Sequence, residues 1–206
     1  DSVAHGLGVK PDLAIIKQLS GGPSELGGWS VYNSTADFGA EHYLILNTDA
    51  AKDGGQGFFN DTEPTSSIFT FGDSWYVNGG SGEIYVAYFF ANIEGYSKVG
   101  SYEGNGDLDG PFIYTGFEPA YVMIKRYDTD GSWRLTDNVR DPYNFVYHRL
   151  YANINEAEYT SDTAHMTDHV SNGFKIRHTN VNFNADGGDY IYIAFAESPF
   201  KYSNAR

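Results

Sequence analysis

Apolar side chains in this chain come in short runs separated by glycine-rich polar segments, with almost no helical spacing. Two runs, Ile84 to Phe90 and Ile191 to Ala196, are nearly continuous. Each follows a glycine-rich turn, Gly79-Gly80-Ser81-Gly82 and Gly187-Gly188. Runs of that length and composition read as buried central strands. Pro11 and Pro119 restrict the backbone ahead of two further runs that end at Lys17 and Lys125. Tyr43–Leu46, Ile68–Phe71, Phe112–Tyr114 and Phe174–Ile176 read as shorter strands. Only Ile154–Tyr159 has the pattern for a turn or two of helix. The prediction is an all-β, sandwich-like fold of jelly-roll or lectin-like type, with little or no helix.

The runs also match one another in order. Gly8 to Lys17 matches Gly116 to Lys125, and Trp29 to Asn33 matches Trp133 to Asp137. Leu44 to Asn47 matches Leu150 to Asn153, and Ile84 to Tyr88 matches Ile191 to Phe195. The exits agree as well, Tyr96-Ser97 with Tyr202-Ser203. Ordered blocks at a nearly constant separation are the signature of an internal repeat. The expected division is a first β repeat over 1–98 and a second over 99–206, pseudo-symmetric and tightly packed. Trp29 and Trp133 are expected at equivalent, largely buried positions.

Composition supports sheet. The 206 residues include 17 Tyr and 14 Phe, which suit pleated surfaces, and 24 Gly, which suit turns. The net charge of −14 repels phosphate backbones and anionic headgroups, so neither nucleic acid nor a membrane is an expected partner. The longest apolar stretch, Ile84 to Ile93, is far too short to span a bilayer. No cysteine is present, which excludes disulfides, thiolate metal sites and a Cys nucleophile. No basic-then-apolar leader opens the chain. Its start at Asp1 in place of Met suggests a fragment or a processed product.

Candidate chemistry is sparse. The carboxylate pairs Asp107/Asp109, Asp128/Asp130 and Glu156/Glu158 fall in polar segments, without the apolar setting that raises an acid's pKa. Asn105, Asp107 and Asp109 alternate oxygen ligands ahead of Gly110, as calcium loops begin. Gly116 stands where the bidentate Glu would be, so calcium is a minor expectation and Asp109-Gly110 also reads as a turn. His165 and His169, near Asp162 and Asp168, have a helical zinc spacing but no apolar helical stripe, so exposed loop histidines are expected. The sequons at Asn33 and Asn60 read as chance. No catalytic residue and no metal ligand is assigned.

A family resemblance adds to this. The run Gly100 to Gly106 followed by Asp109 to Phe117 resembles a segment of tailed-bacteriophage structural proteins. So do Tyr190 to Glu197 with Pro199 to Ser203, and the opening His5 to Pro11. The resemblance covers essentially the whole chain. It implies a virion protein of a tail fibre, tailspike or surface appendage. Other virion proteins would be its partners, a homotrimer its usual assembly, and a host-surface glycan its ligand. A glycan-degrading depolymerase is the alternative. Residues outside the matched blocks are the candidates for a sugar: Trp75 and Tyr76 in the first copy, and Tyr127, Tyr143 and Tyr147 in the second. Sugars stack their apolar faces on such rings.

Overall fold

The computed structural model describes residues 1–21, 27–35, 38–160 and 164–198. The chain divides into two compact units, Asp1–Ala91 and Asn92–Arg206. The division falls ahead of residue 98, because the strand beginning at Ser97 pairs wholly within the second unit.

The first unit runs β1 (Ser2–Ala4), β2 (Leu13–Ser20), β3 (Trp29–Asn33), β4 (His42–Ile45), β5 (Asp53–Gly54), α1 (Gln56–Phe59), β6 (Ile68–Thr70) and β7 (Ile84–Phe90). Its main sheet has the order β5-β4-β3-β2-β7, and β1 pairs with β6 in a separate ribbon. The core lies between them and is aromatic. Tyr32 meets Phe59 and Phe69 edge-on at 5.6 and 5.3 Å, and Tyr43 stacks on Phe58 at 3.5 Å. Ala14 and Ile16 of β2 form its floor.

The second unit runs β8 (Ser97–Glu103), β9 (Phe112–Tyr114), β10 (Pro119–Arg126), β11 (Arg134–Asp137), β12 (Leu150–Tyr151), β13 (Thr167–Val170), β14 (Gly173–Ile176), α2 (Val181–Asn184) and β15 (Asp189–Ala196). Its main sheet is β12-β11-β10-β15-β8, faced by the three strands β13-β14-β9. Ile113, Phe174 and Ile176 from the smaller sheet pack with Val122, Ile124, Tyr190 and Tyr192 from the larger. Each unit is thus two layers about an apolar centre, and all the strand pairings are antiparallel.

The two main sheets share four strands in order, and the first two of the three pairings keep the register of the sequence match. Ser30 pairs with Ile45 and Val31 with Leu44, while Arg134 pairs with Tyr151 and Leu135 with Leu150. The Trp29 amide donates to Asn47 Oδ1 and the Trp133 amide to Asn153 Oδ1, both at 2.9 Å. At the other side, Lys17 pairs with Val86 and Lys125 with Ile191. Matched by sequence, Ile191 aligns with Ile84. The pairing instead aligns it with Val86, a slip of two positions that leaves every side chain on its face.

Several expectations change. β15 is a central strand, held by β10 and β8, but β7 is an edge strand, half-exposed along its length. Trp133 is buried, whereas Trp29 is only half-buried, with the Lys17 ammonium 5.9 Å from its ring centre. Ile154–Tyr159 forms no helix; Tyr159 bridges to Arg149 instead. The described helices are the four-residue α1 and α2, the latter capped by Asn180 Oδ1 accepting the Asn182 amide.

Candidate functional site

A polar cleft in the second unit is built by the loop after β11. Asp137 opens this loop by accepting the amides of Val139 and Arg140 on Oδ1. Asp141, itself buried, closes it: Oδ2 accepts the amides of Tyr147 and His148 at 2.7 Å, and Oδ1 meets His148 Nδ1 at 2.5 Å. The side-chain amide of Asn144 then pairs with the backbone of His169, giving Nδ2 to its carbonyl and taking its amide on Oδ1. Next to it, Val146 bridges to Thr167 of β13. A carboxylate and a primary amide therefore replace a regular ladder, and the loop stands as a fixed wall.

The opposite wall comes from the ends of the main sheet. Glu118 precedes β10, Glu197 follows β15, and the Glu197 amide donates to the Glu118 carbonyl at 2.9 Å. Between the walls is a cleft of about 160 Å³ lined by Glu118, Asp141, Tyr143, Asn144, His169 and Glu197 among others. Tyr143 is 84% exposed at this cleft, and Phe145, two residues on, is also exposed. His169, 5% exposed, is pushed down to about 4 by burial and then by the nearby Arg134 guanidinium, so it is neutral near pH 7. Among the described residues no lysine or arginine lines the cleft. Its chemistry is that of hydroxyl and amide recognition, with one free aromatic face.

The aromatic candidates separate on this geometry. Tyr143 lines the cleft and is the most available of the five. Tyr147 lies on the same loop, half-buried with its ring 4.4 Å from that of His148. Tyr127 is buried, which counts against its assignment as a ligand contact, and its amide donates to the Asp189 carbonyl, continuing the β10–β15 ladder. In the first unit Trp75 is 44% exposed, and Tyr76 packs against Phe58 at 5.5 Å.

The remaining candidates are engaged elsewhere. Asp109 pairs with Lys175 at 2.9 Å and Arg177 at 3.3 Å; the hydrogen bond and charge of Lys175 hold its carboxyl below the usual range. Asn105 Oδ1 and Asp107 Oδ1 accept the amides of Asp107 and Asp109, so these oxygens serve as turn acceptors. Among the described residues no group of three or more His, Cys, Asp or Glu is placed to hold a metal ion. Asp128 pairs with Arg126, and Glu158 with Arg140. His165 and His169 are both buried, not exposed. Asp162 lies outside the described residues. Asn33 is buried, with Oδ1 accepting the Thr35 amide. Sequence reasoning missed Glu118, Asp141 and Glu197, and read His169 as an exposed loop histidine; the four come together only through the fold. The Asp141-Pro142 turn before Tyr143 was the one local signal.

Residues 1–199 match the family model of DUF7483, a domain of unknown function, and the chain belongs to that family. No curated protein and no solved structure matches it.

Proposed function

We propose that this DUF7483 domain is a non-enzymatic recognition module that binds a neutral or amino-bearing glycan in the Tyr143 cleft. The observation that carries the reading is an aromatic ring 84% exposed at a polar cleft whose described lining holds carboxylates and an amide but no cation. A tyrosine kept in solvent forgoes the burial that stabilises most aromatics, and a sugar's apolar face is a partner that suits it. Asn144 and the carboxylates would meet ring hydroxyls. The virion setting rests on the resemblance to tailed-phage proteins: a tail fibre or surface appendage, assembled with other virion proteins, trimeric as fibres usually are, and facing a host-surface glycan.

The test is binding to a panel of bacterial surface polysaccharides by the wild type, Tyr143→Ala and Trp75→Ala. Tyr143→Ala is expected to weaken binding about tenfold, the scale of one lost stacking contact. Trp75→Ala is expected to leave it unchanged. Undiminished binding by Tyr143→Ala would remove the cleft from consideration.

A second reading, glycan hydrolysis, is favoured by one feature, the presence of Glu118 and Glu197 in the same cleft. Incubation with the bound polysaccharide separates the two. Release of reducing ends that stops in Glu118→Gln or Glu197→Gln would establish the enzyme.

A further inference from the structure

Among the described residues the outer edge of β7 is left unpaired. From Ile84 to Phe89 this strand pairs with β2 on one side, and no described strand pairs with it on the other. It carries no charge and no proline, the usual protections of an edge, and its large side chains stand out: Ile84 is 57% and Tyr88 48% exposed. The equivalent edge in the second unit is closed. There β8 lies antiparallel along the whole of β15, from Asp189 opposite Glu103 to Phe195 opposite Ser97. Since Val86 corresponds to Ile191 in the pairing, the same arrangement would seat a strand of seven residues along β7.

We propose that this edge is a docking site for an extended strand donated by a different polypeptide, added antiparallel as β8 is to β15. Main-chain hydrogen bonds would supply affinity and alternate side chains selectivity. Two features define the donor. Gly100 of β8 is required where it is because a Cβ there would stand 2.7 to 2.8 Å from atoms of the Tyr192 side chain. Ala87 holds that place in β7, so the donor takes a larger apolar residue opposite it. At the start of β7, Glu83 Oε2 is shielded from solvent and has no hydrogen-bond partner. A donor lysine or arginine at its C-terminal end, opposite Ile84, would satisfy it. A second copy of this chain is the poorer occupant: its net charge of −14 opposes close approach, and its own β7 offers no cation.

The probes are peptides with the sequence of Ser97–Glu103: unaltered, with Gly100→Val and Glu103→Lys together, and with Gly100→Pro. Hydrogen exchange of the intact protein reports the site. The doubly changed peptide is expected to slow exchange in Ile84–Phe89, and the unaltered one to do so more weakly. The proline peptide, which lacks a central donor, is expected to have no effect. In Glu83→Gln the doubly changed peptide should bind about fivefold more weakly, the scale of one partly exposed ion pair. No slowing by any peptide at millimolar concentration, or equal slowing by the proline peptide, would overturn the proposal. Concentration-dependent protection of β7 without peptide would overturn it in favour of self-association.

Discussion

The sheets β4-β3-β2-β7 and β12-β11-β10-β15 share their strand order, but they are filled differently. Where the first has Ser30 opposite Ile45, the second has Arg134 opposite Tyr151. Arg134 is fully buried, its guanidinium 4.8 Å from the Phe183 ring centre and donating to the His165 carbonyl. Burial lowers it to about 10, so it remains charged at neutral pH. Arg149 is buried as well, 4.4 Å from the Tyr159 ring centre. The first core instead packs aromatic rings on one another. One backbone plan therefore tolerates an aromatic interior in one unit and a partly cationic one in the other. What cations require is ring faces and carbonyls within reach, and the second unit supplies both.

The largest test of this comparison is at the paired tryptophans. Trp133 is buried and Trp29 half-buried, so Trp133→Ala should cost about 3–5 kcal/mol and Trp29→Ala about half that. Urea unfolding of the two variants measures the difference. Equal costs would mean that the two positions are packed alike and that the exposed face of Trp29 contributes nothing to the distinction.

A smaller effect distinguishes the units by pH. The folded-state pKa of His169 lies near 4, below the unfolded value near 6.5. The unfolded chain then binds the extra proton first as pH falls. This contribution is complete above about pH 6.5, is lost between 6.5 and 4, and amounts to about 3 kcal/mol. Arg134 adds to the lowering, while Asp141 and Asp168 oppose it. Exchange protection of β13 and β14 should therefore fall between pH 7 and 4.5. His169→Gln should flatten that response, and Arg134→Met should reduce it without much loss of stability at pH 7. A response unchanged in His169→Gln would assign the titration to another group.

Most strands were legible because each declares itself locally, as a run of apolar residues between turn residues. Their places in the sheets were not. Ile84–Phe90 and Ile191–Ala196 look alike in sequence, yet one is an edge and the other a centre. What separates them is β8, a strand remote from β15 in the chain and rich in serine and glycine. The two-position slip between sequence match and pairing was invisible for a related reason: alternate side chains repeat, so either register keeps the same residues inward. At the cleft, Tyr143 stood out because its loop is polar and has no counterpart in the matched blocks. Tyr127 met the same criterion but is buried, which only the fold reveals. Glu118, Asp141, His169 and Glu197 carry no common motif and meet only through the fold.

The smallest effect gives the finest test of how alike the two sheets are. Asn47 and Asn153 each accept a tryptophan amide at 2.9 Å, just beyond the strand that pairs with it. Removing an acceptor from an amide that water cannot reach costs more than the bond itself contributes, because the donor is left unsatisfied. The Asn153 bond is partly buried and its Nδ2 also donates to Ser132 Oγ at 3.2 Å, whereas the Asn47 bond is exposed. Asn153→Ala should therefore cost about 1 kcal/mol, and Asn47→Ala about half as much because water can replace the lost acceptor. Replacement by Asp keeps an oxygen in place and should recover most of either loss. Unfolding of the four variants measures this. If Asp rescues one site and not the other, the two amides are held by different means, and the equivalence of the sheets ends at the backbone.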